Sequence, residues 1–369
     1  MIRHAVILSA AAACAGCAAR TTAPPRFEGT WATGQTTSAS VRVEPLGDAP
    51  NSGLQLPAVS PDGQWIAYLR HDGDRPVSPD DLLAGRGLAA MSLHVRLLAG
   101  GTARVVCPSG AAWPAWSGDG KTLAFVAFDE PGRGRLGLYR PIEGDLRYLK
   151  ADGGPVISMP ALDARGERIA YVASGGDSPA PALHVLTVAT GRTDSCPPAE
   201  DVQGRFWPLW TADGRVVHVA ASKDDSWLAQ WTPGRGGGRR LARIRFSRTP
   251  VGAFQCFAAV AGPLSADDTR LAYYDTTRDR IVLVDLRDGA ETDMPEATRA
   301  GCWADAGRFA VAGDEELLLA APGAEPARVM RGAWLPRGPA GAPGRLILLG
   351  RGSHPFSFAL VRLTVLAAG

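Results

Sequence analysis

The chain has 369 residues, of which 46% are hydrophobic and 21% are charged, and its net charge at pH 7 is +2. This composition is that of a globular protein with a large core, which excludes a mainly disordered or fibrous chain. A net charge so close to zero gives no indication of nucleic acid or of another strongly anionic partner.

Residues 1–17 have the pattern of an export signal. After a short basic start, Ala5–Gly16 is an apolar stretch of small residues that is too short to span a bilayer. It ends at Cys17, and small residues before a cysteine resemble the bacterial lipobox, in which that cysteine is lipidated and becomes the first residue. Cys14 stands where a lipobox usually has leucine, so cleavage nearby without lipidation is the alternative.

Residues 18–39 are rich in Ala, Thr, Pro and Gly and predict a flexible tether. In lipoproteins an aspartate after the lipidated cysteine often marks inner-membrane retention. Ala18 at this position favours the outer membrane. No later stretch approaches about 18 apolar residues, so we expect membrane contact through the lipid anchor only.

From residue 40 onward the chain repeats a strand–turn–strand unit, of which Leu56–Tyr68 is the clearest copy. Its Ser-Pro-Asp-Gly segment suits a type I turn, because serine caps the turn, proline presets φ and glycine accepts the left-handed conformation. Apolar runs on both sides predict two antiparallel strands. The turn position recurs at Gly63, Gly120, Gly166, Gly214, Asp268, Gly307 and Gly344.

Each copy continues with a third strand and, after a glycine-containing turn, a fourth. Four strands per repeat without a helical period predict an all-β, seven-bladed β-propeller over residues 40–369. Six blades followed by an appendage are the alternative. The seventh copy lacks an outer strand, whereas Ser40–Glu44 alternates as a strand without a repeat of its own. We therefore predict that this segment completes the seventh blade and closes the ring.

The first repeat interval is long because it contains an insertion, Asp72–Met91. Within the insertion, Ser78–Leu83 has the capping pattern of a short helix. Long loops on one face of a rigid scaffold are common binding sites. His71, Asp72 and Asp74, at the start of the insertion, are therefore candidate partner-binding residues, with a metal site and a solvated loop as alternatives.

The repeat resembles the PD40 (TolB-like, WD40-like) family, which includes the propeller of TolB and those of prolyl-oligopeptidase-like enzymes. The resemblance covers most of residues 50–330 and implies a propeller without implying one function. TolB-like proteins carry an α/β domain before the propeller, and the peptidases carry a hydrolase domain after it. We expect this propeller to have neither.

Catalytic motifs are missing from the sequence: there is no G-x-S-x-G, no P-loop and no HExxH. Ser353 lacks the glycine that would follow a nucleophile. On the predicted third strands, His94 and His184 fall at the position of Tyr139, so we expect packing residues rather than metal ligands. The turn residues Asp62, Asp119, Asp213 and Asp267 are expected to accept hydrogen bonds from their own turns rather than bind calcium.

Three further groups of residues allow alternative interpretations. Arg235–Arg248 is interpreted as a solvated outer strand, with contact to an anionic envelope polymer or lipid headgroups as the alternative. Without a CxxC spacing, the cysteines are interpreted as buried free thiols: Cys107, Cys196, Cys256 and Cys302. Three tryptophans at the start of inner strands are candidate partner-binding residues, or pack between blades: Trp113, Trp207 and Trp334.

The sequence thus predicts an exported, monomeric propeller on the periplasmic side of the cell envelope, anchored to the outer membrane. Its partner would be an envelope protein or a cell-wall polymer, without cofactor, metal or catalysis. The alternative is a propeller-type lyase or hydrolase with a metal site on the axis. That alternative requires several inner-strand His, Asp or Glu residues, and the inner strands carry mostly Ala, Trp, Pro and Leu.

Overall fold

The computed structural model describes residues 41–50, 57–73, 77, 79–175, 178–245, 260–295, 300–305, 307–312, 316–321, 324–331, 335–339, 345–351 and 357–365. Within these ranges the strands form seven sheets. The predicted seven-bladed, all-β propeller is thereby confirmed. The predictions for the signal segment, the tether, Cys17, Asp74, Cys256 and Trp334 lie outside the described residues.

The first strand, β1 (Val41–Pro50), belongs to the last blade, and the next four blades follow in chain order. Blade 1 contains β2 (Ala58–Val59), β3 (Trp65–His71), β4 (Met91–Leu97) and β5 (Arg104–Cys107). Blade 2 contains β6 (Ala111–Trp116), β7 (Leu123–Glu130), β8 (Arg133–Arg140) and β9 (Asp145–Leu149). Blade 3 contains β10 (Val156–Leu162), β11 (Arg168–Gly175), β12 (Ser178–Thr187) and β13 (Thr193–Ser195). Blade 4 contains β14 (Gly204–Trp210), β15 (Val216–Ala221), β16 (Ser226–Trp231) and β17 (Gly238–Ile244).

The remaining blades deviate from this simple order. Blade 5 contains β18 (Val260–Ala261), β19 (Arg270–Asp275), β20 (Arg280–Asp285) and β21 (Glu291–Asp293). Blade 6 contains β22 (Ala300–Trp303), β23 (Phe309–Ala312), β24 (Glu316–Ala320) and β25 (Ala327–Arg331). Blade 7 contains β26 (Leu335–Pro339), β27 (Arg345–Arg351), β28 (Ser357–Val365) and, outermost, β1.

Successive strands of a blade run in opposite directions, which gives the propeller two distinct faces. The turn face carries the turns between first and second strands and between third and fourth strands. The loop face carries the connections between second and third strands and those from one blade to the next. Each face therefore presents a different kind of loop.

The N-terminal strand closes the ring, as predicted. β1 pairs antiparallel with β28 from Val41 opposite Val365 to Pro50 opposite Ser357. An ion pair of 3.1 Å between Glu44 and Arg362 joins the same two strands. Blade 7 thereby gains the outer strand that its own repeat lacks, and the edge of β28 is covered.

The inner strand of blade 5 divides between two sheets. Its first half, β18, pairs in parallel with β22 of blade 6. Its second half stays in its own blade, where Leu264 bridges to Leu271. Gly262, at φ 56°, lies between the two halves. Only glycine adopts this conformation readily, so it allows the chain to bend here from one blade to the other.

Three inner strands carry a β-bulge in which a bulky residue with positive φ precedes a proline. The φ angles are 58° for Trp113, 52° for Met159 and 51° for Trp207. In each case the pairing register shifts across this residue and the following proline. Such conformations cost about 1–3 kcal/mol each and persist only where the surrounding packing imposes them.

Tryptophans at the ends of alternate inner strands connect each even-numbered blade to the blade before it. Trp116, Trp210 and Trp303 each donate the indole N–H to a backbone carbonyl at the same position of the preceding blade. The acceptors are Ala58, Ala161 and Pro263, at 3.0, 2.9 and 3.0 Å. Trp303 is buried, at 4% exposure, whereas Trp116 and Trp210 are partly exposed.

Candidate functional site

Residues 79–90 of the first-blade insertion form a structured element of the loop face. It contains the short helix α1 (Pro79–Leu83), as predicted, and a 3-10 turn, Leu88–Ala90. Leu82 and Leu88 are buried and belong to the largest hydrophobic cluster, which extends through blades 1, 2 and 3. The apolar side of the insertion therefore continues the core of the propeller.

Backbone contacts attach the insertion to blade 2. The amide of Gly132 donates to the carbonyl of Gly85 at 2.9 Å, and the amide of Gly110 donates to the carbonyl of Leu88 at 3.0 Å. The ring of Phe128 lies so close to Gly85 that a Cβ there would be 2.3 Å from it. Because these contacts cross between blades, the insertion covers the seam between blades 1 and 2.

His71 and Asp72 lie side by side at the root of the insertion. His71 is the last residue of β3 and is partly exposed. The amide of Asp72 donates to the carbonyl of Ala90, and its carboxylate forms an exposed 2.7 Å ion pair with Arg70. These contacts hold the two ends of the insertion together.

The solvent side of this surface carries charges that neutralise one another. Asp81 pairs with Arg86 at 3.4 Å within the insertion, and Asp129 pairs with Arg135 at 2.6 Å in blade 2. Ala89 is exposed between these pairs along the chain. These ion pairs leave this surface with little net charge.

Trp113 and Trp207 meet inside the ring. Their rings contact edge to face with centroids 6.0 Å apart, although they belong to blades 2 and 4. Two blades that are not neighbours share only the central channel, so this pair occupies the channel beside blade 3. Trp113 is 5% exposed and shares the cluster of Leu82 and Leu88, whereas Trp207 is partly exposed.

The bulges that aim these two side chains were not predicted from the sequence. A signal for them is present, since a proline follows Trp113, Met159 and Trp207 in the middle of what is otherwise a strand. Proline is excluded from a regular central ladder and marks bulges. The recurring tripeptide of a large residue, proline and a small or apolar residue therefore indicates an inward-aimed side chain.

The prediction that His94 and His184 are equivalent to Tyr139 is wrong. The equivalent residue of blade 2 is Gly137, two residues earlier. Both histidines pair with the aromatic residue in the middle of the second strand. In blade 2 that aromatic residue is Phe125, and its partner is Gly137. A Cβ on Gly137 would be 2.3 Å from the Phe125 ring, so the ring fills the space that an imidazole takes in blades 1 and 3.

The packing role predicted for the two histidines is confirmed. His94 stacks on Tyr68 and His184 stacks on Tyr171, each with ring centroids 5.4 Å apart. Burial lowers the pKa of both imidazoles and raises the pKa of Tyr171 to about 12. Both histidines are therefore neutral at pH 7 and belong to the blade interior.

His218 is the most deeply buried histidine in the described part of the chain, at 2% exposure. It lies in β15 at the position that Phe125 occupies in β7. In both blades this position comes two residues after the residue that pairs with the last residue of the inner strand. Burial, assisted by the guanidinium of Arg205, lowers its pKa to about 3. Arg205 is itself buried and donates to the carbonyl of Pro197 at 2.6 Å.

The turn aspartates behave as predicted. In four blades the first turn residue donates its hydroxyl to the aspartate two positions later, at 2.5–2.7 Å, and a following backbone amide donates to the same carboxylate. The acceptors are Asp62, Asp119, Asp213 and Asp267. One carboxylate oxygen of each aspartate, Oδ1, is thus engaged within its own turn.

The arginine cluster lies on an outer strand, as predicted. Within it, β17 is the outermost strand of blade 4. Arg240 pairs with Asp201 and covers the ring of Trp227, and Arg243 pairs with Asp225. Two of the positive charges are thereby balanced by neighbouring carboxylates.

Cys107, Cys196 and Cys302 are buried free thiols, as predicted. Cys107 and Cys196 occupy equivalent positions in blades 1 and 3, each facing the third strand near Leu93 and Leu183. Burial raises the pKa of both thiols. They are therefore protonated at pH 7 and poorly reactive.

Two further observations concern metals and membranes. Within the described ranges, no group of three or more His, Cys, Asp or Glu side chains is placed to hold a metal ion. None of the helices in the described part of the chain has the length and apolar content that a bilayer crossing requires.

No known protein family and no curated protein matches the sequence. Solved β-propellers match the fold. The β-propeller domain of the Trilobed protease from Pyrococcus furiosus has a TM-score of 0.54 and 12% identity, covering 85% of this chain and 97% of that one. TolB from Acinetobacter baumannii has a TM-score of 0.50 and 15% identity, covering 74% and 65%. Pyrococcus horikoshii acylaminoacyl peptidase has a TM-score of 0.52 and 14% identity, covering 80% and 48%.

These similarities concern the fold, since the identities are low and the alignment spans 65% of the TolB chain and about half of the peptidase. The Pyrococcus furiosus domain has an open velcro topology. In the present chain β1 closes the ring instead. The propellers of a protease and of TolB thus share this architecture, so the fold alone does not indicate a function.

Proposed function

We propose that this chain is an exported, lipid-anchored propeller of the PD40 repeat class that binds another macromolecule of the cell envelope without catalysing a reaction. The partner would be an envelope protein or a cell-wall polymer, and the binding surface is the loop face around the first-blade insertion. The structured part of the insertion, residues 79–90, is the observation that carries the proposal.

The propeller fold does not require the insertion. Other blades join their second and third strands through residues 131–132, 176–177, 222–225, 276–279, 313–315 and 352–356, whereas blade 1 uses residues 72–90. Ordering a loop costs about 1–2 kcal/mol per residue in backbone entropy, so a long ordered loop indicates a use beyond connection. Its contacts with Gly132 and Gly110 hold it in one position, which reduces the entropic cost of binding a partner.

The central channel favours a binding role over an axial metal enzyme. Trp113 and Trp207 take up the part of the channel next to blade 3. An axial metal site needs inner-strand His, Asp or Glu side chains, and β6, β10 and β14 carry none of these. Export and anchoring depend on Cys17 and the small residues before it.

Photo-crosslinking in the native envelope tests the binding surface. A photoreactive amino acid replaces Ala89, which is exposed on the insertion, and in a matched control it replaces Ala189, which is exposed on the turn face. We expect a discrete crosslinked species from position 89 and not from position 189. Equal patterns from the two positions, or none from position 89, contradict the proposal. So does a stoichiometric, tightly bound metal in the purified protein.

Metabolic labelling with a fatty-acid analogue tests the anchor separately. We expect label on the wild-type chain, no label on Cys17→Ser, and unchanged label on the control Cys107→Ser, whose thiol is buried. An unlabelled wild-type chain would show that the signal is cleaved without lipidation.

A further inference from the structure

The exposed large hydrophobic side chains of the described residues are concentrated in two adjacent blades. They lie in blades 1 and 2, at the end of one third strand, on the two outermost strands and in one turn: Leu97, Val105, Leu146, Tyr148 and Ile142. We call this group the apolar rim. By contrast, the described outer strands β13 and β21 are short and polar, with the sequences Thr-Asp-Ser and Glu-Thr-Asp.

Ile142 is the most exposed of these residues, at 69%. It lies at the tip of the turn between the third and fourth strands of blade 2. In three blades this turn closes with the same backbone hydrogen bond, from a glycine amide to the carbonyl four residues earlier. Two residues before that glycine stand Ile142 in blade 2, Ala189 in blade 3 and Arg287 in blade 5. The turn therefore does not need an apolar side chain at its tip.

The two halves of the apolar rim are joined across the seam between the blades. The guanidinium of Arg104, on the outermost strand of blade 1, donates to the carbonyl of Pro141 at 2.8 Å. Pro141 immediately precedes Ile142. Leu146 and Tyr148 are two residues apart on β9 and thus project to the same side of that strand.

Arginines border the apolar rim on the turn face. Arg104, Arg140 and Arg147 are exposed there, and Arg147 pairs with Asp145 at 2.8 Å. Glu143 is the other acidic residue of the turn. An exposed apolar side chain at a turn, with arginines beside it, suits contact with the headgroup region of an anionic bilayer.

The start of β1 lies on the same side of the ring as the apolar rim. Val41 pairs with Val365, and Arg345, the first residue of β27, pairs with the neighbouring Thr364. The first strand of the structure therefore begins on the turn face. It does so in blade 7, whose inner strand β26 contacts β2 of blade 1. Val41, which follows the tether predicted from the sequence, thus lies on the same face and on the same side of the ring.

We propose that the apolar rim is a membrane-contact surface, which rests on the phospholipid headgroups of the bilayer that holds the anchor. This contact is additional to the lipid anchor, which is the only membrane contact expected from the sequence. This proposal rests on the proposed function, because it takes the exported, anchored propeller as its starting point. It adds an orientation to that function: the turn face of blades 1 and 2 lies against the membrane, and the insertion on the loop face points away from it.

Vesicle co-sedimentation tests the contact without the anchor. The full chain carrying Cys17→Ser is mixed with vesicles of phosphatidylethanolamine and phosphatidylglycerol. The same chain with Leu97→Glu and Ile142→Glu is compared with it, and Ala189→Glu, at the equivalent turn tip of blade 3, is the control. We expect the double variant to lose about tenfold or more in partitioning, and the control to keep it.

Three results would overturn the membrane contact. The parent chain does not sediment with vesicles, the double variant sediments as well as the parent, or a photoreactive residue at position 142 crosslinks to a protein and not to lipid. As a control for folding, the double variant must unfold at the same midpoint temperature as the parent chain. Because the anchor is absent and position 89 is unchanged, failure here leaves labelling at Cys17 and crosslinking at Ala89 as independent tests of the proposed function.

Discussion

The indole N–H of Trp210 donates a hydrogen bond to the carbonyl oxygen of Ala161, 2.9 Å away on the preceding blade. Arg168 of that blade covers the same indole, with its guanidinium carbon 4.3 Å from the ring centroid. Asp163 holds Arg168 in place through a 3.0 Å ion pair. Trp210 thus joins blades 3 and 4 through both a hydrogen bond and a cation–π contact.

Replacing this tryptophan measures what the seam contributes to stability. Trp210→Phe removes the donor and leaves the Ala161 carbonyl without this partner, so we expect the free energy of unfolding to fall by about 1–3 kcal/mol. Urea denaturation provides the measurement. Trp227→Phe, a partly exposed tryptophan of the same blade, is the control and should cost less than about 0.5 kcal/mol. Equal effects of the two changes would contradict the role of the bond.

His218 makes the folded protein sensitive to acid. Its pKa is lowered to about 3 in the folded state, from 6.5, because burial disfavours the charged imidazole. Between these two values the unfolded chain binds a proton that the folded chain does not. The contribution of this group to stability is therefore complete above about pH 6.5 and is lost as the pH falls towards 3, by at most about 1.4 kcal/mol per pH unit.

His218→Phe tests this pH dependence. Phenylalanine occupies the equivalent position in blade 2, at Phe125. Between about pH 6 and about pH 4 only the unfolded chain binds a proton at His218. In this range we expect the free energy of unfolding of the variant to fall less steeply than that of the wild type. His94 and His184 remain in both proteins and cancel in the comparison. Parallel pH profiles would show that His218 is not the group responsible.

The contact between Phe125 and Gly137 predicts a non-additive pair of substitutions. Gly137→Ala places a methyl group within 2.3 Å of the phenyl ring, so we expect a loss of about 1–3 kcal/mol from overpacking. In a Phe125→Leu background the ring is absent, and the same alanine should cost less by at least about 0.5 kcal/mol. A double-mutant cycle by chemical denaturation measures this coupling. Additive losses would contradict the steric explanation.

The closing strand predicts a change in association state. Replacing residues 41–50 by a glycine–serine segment of equal length uncovers the edge of β28. We expect lower stability and concentration-dependent oligomers, because uncovered strand edges pair with other chains. Light scattering coupled to size-exclusion chromatography measures the mass. The control is the same replacement in residues 28–37, which should leave the mass unchanged. A monomeric, fully stable variant would show that β1 is dispensable.

Much of the fold could be predicted because local residues determine its turns. The Ser-Pro-Asp-Gly turn and its variants place each blade, and the unpaired alternation at Ser40–Glu44 indicates the closing strand. The helix of the insertion followed from its proline and acidic residues. These features depend on a few consecutive residues, which is why a single sequence contains them.

What the sequence could not provide depends on contacts between distant segments. β18 pairs with β22 of blade 6 and not with β19 of its own blade. Its apolar sequence is compatible with either partner. The equivalence of His94 with Gly137 rather than Tyr139 depends on register, because the lengths of the connections vary between blades. The meeting of Trp113 with Trp207 requires the curvature of the whole ring.

The pairing of β1 with β28 has a consequence for the order of folding. Val41 and Val365 come together although they lie near opposite ends of the described chain. A chain that emerges N-terminus first presents β1 first and its partner last. Bringing such distant segments together carries a high loop-closure entropy, which slows the step. Blades 1 to 6 have the strands they need before β28 arrives, so ring closure is the final step of assembly, and until then blade 7 exists only in part.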